Sequence, residues 1–236
     1  MAETCYLKRY RNPIIVIRFA ILLHIYLPSR IVSLFLFLFF RAKVSHKTVC
    51  QWTNKFTSKI NLPTYKFTDD ILICHVDEKY VKVKGEWCYW WSLKDCIGNI
   101  IHCIVTELRD FISAKKLLTE ARDKIGRKVD ILVRDGLPAY DKATNFLGNK
   151  CKKVIAGING KGFIYKKKFY WLTNNPSESL NSEIDFYLGK FRNNFANLES
   201  ANRFAQLFML HKNLKKSFME KKFLETSSML EQAFGI

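Results

Sequence analysis

A pair of cysteines spaced C-x-x-C, typical of zinc sites, occurs nowhere in this sequence. The seven cysteines are odd in number and scattered along the chain, mostly within apolar stretches. This pattern argues against both a disulfide framework and a structural zinc site. It is typical of buried, reduced thiols, so we expect a cytoplasmic protein.

An uninterrupted apolar stretch of about 20 residues, which a membrane span requires, is also missing. Residues 14–40 are apolar overall, but Arg18, His24 and residues 28–30 divide them into shorter pieces. These pieces predict two buried helices, and we expect no membrane partner. Membrane insertion stays open as an alternative, because basic residues at positions 8, 9 and 11 precede the stretch as they would in a signal segment.

Acidic residues are scarce in two parts of the chain. Residues 1–60 contain one acid, Glu3, against ten lysines and arginines, and residues 142–177 contain eight lysines and no acid. The whole chain carries a net charge of +18. A charge of this size and sign indicates a polyanionic partner, for which nucleic acid is the leading candidate and an anionic membrane surface the alternative.

The first basic part, residues 1–60, is predicted to be a helical DNA-binding domain. The sequence predicts a helix over residues 29–40, then a short turn, then a second helix with Ser45 as its N-cap. In the second helix, Val49, Trp52 and Phe56 form one apolar face. The polar residues left for solvent or DNA are His46, Lys47, Gln51 and Lys55. A helix-turn-helix would place this second helix in the major groove of DNA, although a plain helical hairpin fits the sequence equally well.

The remaining residues, 61–236, are predicted to form an α/β domain. Residues 71–76 are apolar and rich in β-formers, so they predict a buried central strand that continues to Gly85. The elements expected after it are strands near 87–93 and 100–106, a helix over 114–125 capped by Ser113, a strand over 129–133, a helix over 138–147, a strand over 153–156 and a helix from Asn175. This order, βββαβαβα, predicts a mixed sheet with helices on its faces, the ribonuclease H-like arrangement.

Three acids are candidates for a shared metal site. Asp77 and Asp135 each end a predicted strand, and these strands are neighbours in the ribonuclease H-like order, so the two carboxylates should converge. Glu178 lies in the first turn of the helix from Asn175, where a capping box explains it equally well; Asp77 alone would also fit a turn cap. Three hard oxygen ligands suit Mg²⁺ or Mn²⁺, and two such ions can activate an attacking oxygen and stabilise the leaving oxygen of a phosphodiester.

Between Asp135 and Glu178 the sequence interleaves lysines with aromatic residues. We expect the lysines, Lys166, Lys167 and Lys168 among them, to contact DNA phosphates. The aromatic residues at positions 163, 165, 169, 170 and 171 either stack on unpaired bases or form the core side of a hairpin, and the sequence leaves both open.

Several blocks of sequence are distinctive together: D-E-K-Y-V-K-V-K-G at 77–85, D-C-I-G-N at 95–99, D-G-L-P-A-Y at 135–140 and N-N-P-S-E at 174–178. They resemble the DDE transposases of bacterial and archaeal insertion sequences, most closely the insertion-sequence-six family. Residues 44–52 are similar to that family's helix-turn-helix, and residues 198–201 to the start of its C-terminal helix.

The resemblance implies roles for particular residues. Asp77, Asp135 and Glu178 would be the metal-binding triad, Asn174 and Asn175 would position the helix of Glu178, and Tyr140 would pack beside Asp135. One position departs from the family: Asp185 stands where relatives have a basic residue. DNA contacts from this helix are therefore expected at Lys190 and Arg192.

The sequence hypothesis is a DNA transposase that binds terminal inverted repeats of duplex DNA, then nicks and joins strands with two Mg²⁺ or Mn²⁺ ions. The resemblance implies a homodimer or larger assembly, and we expect it on the nucleoid. Two alternatives stay open: an inactive, transposase-derived DNA-binding protein, and a structure-selective nuclease of the same fold.

Overall fold

A computed structural model describes residues 11–57, 71–147, 151–156, 160–173, 175–189 and 194–219. This part of the chain divides into two compact units. The first unit contains residues 11–57, Gly189 and residues 206–219, and the second contains the other described residues. The domains predicted from the sequence were 1–60 and 61–236; by compactness, residues 206–219 group with the N-terminal helices.

The first unit begins with three helices, α1 (Ile14–His24), α2 (Ser29–Phe40) and α3 (His46–Thr57). Ser45 caps α3 as expected, because its hydroxyl accepts a hydrogen bond from the backbone N–H of Thr48 at 3.1 Å. Val49 and Trp52 of α3 are buried. The order helix, turn, helix is therefore present, and its DNA-binding role stays a prediction.

The apolar stretch of residues 14–40 forms the two expected helices, but only α1 is largely buried. In α2, Val32 and Leu36 are buried, whereas Leu34, Leu38 and Phe39 are 50, 53 and 67% exposed. The expectation of two buried helices is wrong for α2, because this helix is apolar on all sides and only one stripe is covered. Among the described residues, no helix combines the length and the apolar character that a membrane span needs.

The second unit is a mixed α/β fold. Its elements in chain order are β1 (Ile73–Val83), β2 (Glu86–Asp95), β3 (Ile100–Thr106), α4 (Phe111–Ile125), β4 (Ile131–Arg134), α5 (Ala139–Ala143), a 3₁₀ turn (Thr144–Leu147), β5 (Lys152–Ile155), β6 (Lys161–Tyr165), β7 (Lys168–Leu172), α6 (Asn175–Gly189), β8 (Asn194–Phe195) and the first turns of α7 (Leu198–Met219).

The main sheet has the strand order β3-β2-β1-β4-β5, and β8 also pairs with β1. The first three strands are antiparallel, while β4 is parallel to β1 and β5 is parallel to β4. Apolar residues on one face of the sheet pack against α4 and α5. The predicted mixed sheet with helices is confirmed, and its order is consistent with a ribonuclease H-like DDE fold.

Two local expectations need correction. Asp110, not Ser113, caps α4: its carboxylate accepts a hydrogen bond from the backbone N–H of Ser113 at 2.8 Å, so the helix begins at Phe111. The strands β6 and β7 form a separate two-stranded sheet. The predicted order βββαβαβα did not contain it, although a hairpin in this segment was one of the two alternatives that the sequence left open. Gly126 ends α4 in the left-handed conformation, which glycine adopts most readily.

Candidate active site

The parallel strands β1 and β4 bring two acids together. Their residues pair in register, Cys74 with Leu132 and His75 with Val133. Asp77 and Asp135 each follow two positions after the last of these pairs, so the register places them side by side. Asp135 directly follows the end of β4, as expected, but Asp77 does not end its strand: it lies inside β1, which continues to Val83 because β2 pairs with it along almost its whole length. The structure thus brings two of the three acids proposed from the sequence to one place.

A third carboxylate at this place is Glu78. One ligand oxygen from each of Asp77, Glu78 and Asp135 lies within 4.8 Å of the other two. Sequence reasoning missed Glu78 because successive residues of a strand point to opposite faces, which separates Glu78 from Asp77. The available signal was an acid directly after Asp77 in a strand whose later polar residues are lysines.

Glu78 is held by two donors, Arg109 from the loop between β3 and α4 and Tyr140 from α5. The Nε of Arg109 donates to Oε1 of Glu78 at 2.8 Å, and a second guanidinium nitrogen pairs with the same oxygen. The hydroxyl of Tyr140, a fully buried residue of α5, donates to Oε2 at 2.7 Å. The Glu78 side chain is only 3% exposed, so these donors replace water around its carboxylate.

Arg109 also approaches Asp135. Its Nη2 lies 3.7 Å from Oδ2 of Asp135, whose other oxygen accepts a hydrogen bond from the backbone N–H of Leu137 at 2.9 Å. The Asp135 side chain is 34% exposed, whereas the Glu78 side chain is 3% exposed and Asp77 is buried, so Asp135 is the most accessible of the three acids. Arg109 therefore supplies positive charge to two of the three carboxylates.

Asp77 is buried and its pKa is raised from 3.8 to about 6. Burial is the largest cause, and the charges of Glu78 and Asp135 add to it. Two hydrogen bonds oppose the shift: the backbone N–H of Glu78 donates to Oδ1, and Nδ2 of Asn181 donates to Oδ2, each at 3.0 Å. A carboxylate in this position favours either a proton or a nearby cation.

Helix α6 lies along the face of β1 that carries Asp77, and three polar contacts fix it there. Lys94 of β2 donates to the carbonyl oxygen of Pro176, Asn181 contacts Asp77, and Lys79 pairs with Asp185 at 2.7 Å. Asp185, the departure from the family pattern, thus has a partner on β1. Asn181 and Lys94 were not among the residues proposed from the sequence.

Glu178 lies in the first turn of α6 and is exposed. It does not belong to the described group of carboxylates within 4.8 Å of one another. Helix α6 begins at Asn175, as expected, and Asn174 lies outside the described residues. Tyr140 contacts Glu78 through its hydroxyl and Trp91 through its ring.

The residues proposed for DNA contact differ in exposure, and two of them lie outside the described residues. On α3, Lys47, Gln51 and Lys55 are exposed, and His46 is half-buried. Lys166 and Lys167 are exposed in the turn between β6 and β7, and Lys168 begins β7. Lys190 and Arg192 lie outside the described residues.

The donor set of Asp77, Glu78 and Asp135 fits a hard divalent cation. All three offer carboxylate oxygens, which Mg²⁺ and Mn²⁺ prefer over nitrogen and sulfur donors. Like charges this close repel one another unless a cation or proton lies among them, and the raised pKa of Asp77 records that repulsion together with burial. The DDE fold implies such a metal, and these residues are suited to hold it.

Comparison with solved structures gives distant similarities. A chain of the cryo-EM structure of the simian T-cell lymphotropic virus intasome in complex with PP2A regulatory subunit B56 gamma is 13% identical, with a TM-score of 0.40; the match covers 73% of this chain and 60% of that one. Endonuclease V from Bacillus subtilis is 16% identical, with a TM-score of 0.25, over 76% of this chain and 95% of that one. No curated protein matches.

A family model gives the decisive comparison. The model DDE_Tnp_IS240, described as "DDE domain", matches residues 72–218. The match starts just before β1 and extends into α7, so it contains every carboxylate of the site together with Glu178. The chain therefore belongs to the DDE transposases of insertion sequences.

Proposed function

We propose that this protein binds the terminal inverted repeats of its element and catalyses metal-dependent nicking and strand transfer of DNA. The observation that carries this proposal is the meeting of Asp77 and Asp135, 58 positions apart in the sequence, on two neighbouring parallel strands. A structural role alone gives no reason to gather carboxylates in a buried place.

Asp77 and Asp135 would hold the divalent ions, two Mg²⁺ or Mn²⁺, and we propose Glu178 as the third ligand. Bound metal supplies activation of the attacking oxygen and stabilisation of the leaving oxygen at a phosphodiester. The position of Asn181 supports the role of Glu178, because the two residues are three apart on α6 and so share one helix face. Asn181 contacts Asp77 directly.

Other residues of the chain prepare the carboxylates. Asn181 fixes one oxygen of Asp77, and the backbone of Leu137 fixes one oxygen of Asp135, so each acid presents its remaining lone pairs in a set direction. Arg109 and Tyr140 hold Glu78 beside them. Arg109 balances the charge of the cluster when no metal is bound.

DNA recognition is proposed for α3. Lys47, Gln51 and Lys55 follow one another at intervals of four residues and are exposed on one face, while Val49 and Trp52 are buried on another. A helix with this division can enter the major groove of duplex DNA. The lysines at 166–168, with Lys190 and Arg192, are proposed to contact phosphates, and two copies of the chain to bind the two ends.

The test is Mg²⁺-dependent nicking and joining of a labelled duplex that carries the inverted repeats flanking the reading frame. Asp135→Asn should abolish both reactions and leave binding to this duplex nearly unchanged. Asp123→Asn is the matched control, since Asp123 is an exposed residue of α4 paired only with its neighbour Arg122 among the described ion pairs. Retention of strand transfer in Asp135→Asn would contradict the proposal.

The same assay separates the two alternatives. A structure-selective nuclease would nick without joining the strands. An inactive, transposase-derived DNA-binding protein would bind the duplex and do neither at any concentration of Mg²⁺ or Mn²⁺.

A further inference from the structure

The hairpin formed by β6 and β7 has two unlike faces. On one face, Leu172 is 8% exposed and belongs to a core cluster with Ile131, Val133 and Val154 of the main sheet. Tyr165 and Tyr170 pack against this cluster. This face anchors the hairpin on the second unit.

The other face is apolar and open. Ile164 pairs with Phe169, and Gly162 pairs with Trp171, so these residues are neighbours on one side of the hairpin. Ile164, Phe169 and Trp171 are 69, 68 and 63% exposed. A continuous exposed patch of this kind marks an interaction surface more often than an isolated apolar residue does.

Two glycines let the aromatic rings approach the backbone on this face. A Cβ atom added to Gly162 would lie 2.8 Å from Cζ of Phe169 and 3.2 Å from Cε3 of Trp171, and one added to Gly160 would lie 2.5 Å from Nε1 of Trp171. The rings thus cover the glycine backbone and leave their outer faces to solvent. Glycine in a strand costs stability, and close approach of another group is a usual reason for it.

The surroundings of the patch are basic. Lys161, Lys166 and Lys167 are exposed on the hairpin, and the sequence from 142 to 177 has eight lysines and no acid. Lys166 also lies 3.5 Å from Asp130, so it bends toward the main sheet, whereas Lys161 lies at the other end of β6. Positive charge therefore flanks the aromatic face at both ends of the strand.

We propose that Ile164, Phe169 and Trp171 form a stacking surface for unpaired bases at the DNA end, while the flanking lysines contact the phosphates. This surface deepens the proposed function, on which it rests only in taking DNA as the substrate. Aromatic rings beside a basic groove are the usual means of binding single strands without reading their sequence. Such a surface would hold a strand separated from its complement near the cleavage site.

The charge pattern favours unpaired DNA over duplex DNA or a partner protein as the ligand of this patch. Bases in a duplex stack on one another and do not offer their faces to a protein ring. Protein–protein interfaces are depleted of lysine, which here surrounds the patch. Unpaired bases with their phosphates match both the exposed rings and the positive charge.

The experiment compares binding to a forked duplex with unpaired ends and to a fully paired duplex of the same sequence. Binding is measured with EDTA present, so that catalysis plays no part. The unchanged protein should prefer the forked duplex, and Phe169→Ala with Trp171→Ala should lose that preference, by about tenfold or more in affinity. Affinity for the paired duplex should stay the same.

Two matched variants control for folding and for exposure. Trp171→Phe keeps a ring and should keep most of the preference. Trp87→Ala removes a tryptophan of similar exposure, 59%, at the start of β2 and should change nothing. In the unchanged protein, 5-iodouracil placed in the unpaired strand should cross-link to Trp171 or Phe169 on irradiation, a result that does not depend on any variant folding.

An equal affinity for forked and paired DNA in the unchanged protein would overturn the proposal. So would a double alanine variant that loses self-association, measured by light scattering, while it keeps the preference for forked DNA, since the patch would then bind protein. These results leave the carboxylate site untouched. Conversely, if Asp135→Asn did not abolish nicking, the proposed catalytic function would be contradicted. The binding measurements in EDTA would still decide whether this surface binds unpaired bases.

Discussion

The hydroxyl of Tyr140 donates to Oε2 of Glu78 at 2.7 Å, across 62 positions of the sequence. Tyr140 is fully buried, and burial, together with the charge of Glu78, raises the pKa of its hydroxyl well above the usual value. The hydroxyl therefore keeps its proton and stays a donor at any pH at which the protein would work. This bond fixes the carboxylate that the sequence did not identify as part of the site.

Tyr140→Phe removes that donor and leaves the ring in place against Trp91. A buried hydrogen bond to a charged group contributes about 2 kcal/mol, so we expect a loss of about that size in the free energy of unfolding, measured by urea denaturation. In a Glu78→Gln background the same change should cost less, because the charged acceptor is gone. Tyr80→Phe, at a residue that is 55% exposed, is the control; equal losses at both tyrosines would contradict the assigned role.

Arg109 gives a second prediction, because its guanidinium is bound to Glu78 and lies near Asp135. Arg109→Gln removes a positive charge from the carboxylates, so the metal-free protein should melt at a lower temperature. Saturating Mg²⁺ should then raise the melting temperature more than it does in the unchanged protein, since the cation meets less repulsion. Arg122→Gln, at an exposed pair on α4, should behave like the unchanged protein. The same Mg²⁺ shift in both variants would show that Arg109 does not balance the cluster.

The sequence predicted the sheet well because its signals were local. Residues 71–76 are too apolar and too short to be anything but a buried strand, and Gly85 and Gly126 stand where the chain takes a positive φ. Asp77 and Asp135 could be predicted to meet because the topology alone places their strands side by side. The cap of α4 is Asp110 and not the predicted Ser113, because the hydrogen bond that determines the cap depends on the backbone geometry before the helix.

The features of the site that could not be predicted from the sequence depend on contacts between residues that are distant along the chain. Glu78 is held in the site by Arg109 and Tyr140, which are 31 and 62 positions away in the sequence. Asn181 has no sequence signal, because an amide inside a helix is usually solvated. A hairpin of β6 and β7 was one of the two alternatives that the sequence left open, but the sequence did not decide which aromatic residues face the core, because that depends on the register that pairs Gly162 with Trp171.

The raised pKa of Asp77 gives a prediction on pH. Because the folded protein holds this proton up to about pH 6 and the unfolded chain releases it near 3.8, the contribution is fully present below pH 3.8 and is lost as the pH rises through 6. Metal-free protein should therefore become less stable from this cause between about pH 4 and 7, on the order of 2 kcal/mol.

Asp77→Asn removes the charge and keeps the shape, and the amide of Asn181 can turn to stay bonded. This variant should be more stable than the unchanged protein at pH 7.5 in EDTA, and the difference should disappear near pH 4. Chemical denaturation at the two pH values measures it, with Asp123→Asn as the control at an exposed acid. A difference that is the same at both pH values would show that the Asp77 charge is not the cause.

The turn between β6 and β7 gives the last prediction. Lys166 and Lys167 both have positive φ, 48° and 65°, as a two-residue type I′ turn requires, although Asn-Gly is the preferred pair there. The turn between β1 and β2 shows the usual solution, with Lys84 followed by Gly85. A non-glycine residue in this conformation costs roughly 1 kcal/mol, so the lysines stand here against the local backbone preference.

Replacing Lys166 with Asn and Lys167 with Gly should therefore stabilise the protein by about 1–2 kcal/mol in urea denaturation. The same double variant should bind DNA less tightly and lower the slope of log affinity against log salt by up to about 2, because two phosphate contacts are lost. Lys161→Gln, which removes a charge without changing the turn, should lower the slope by about 1 and leave stability unchanged. A more stable double variant with an unchanged salt slope would mean that the turn lysines do not contact DNA. Their presence in a turn that disfavours them would then need another explanation.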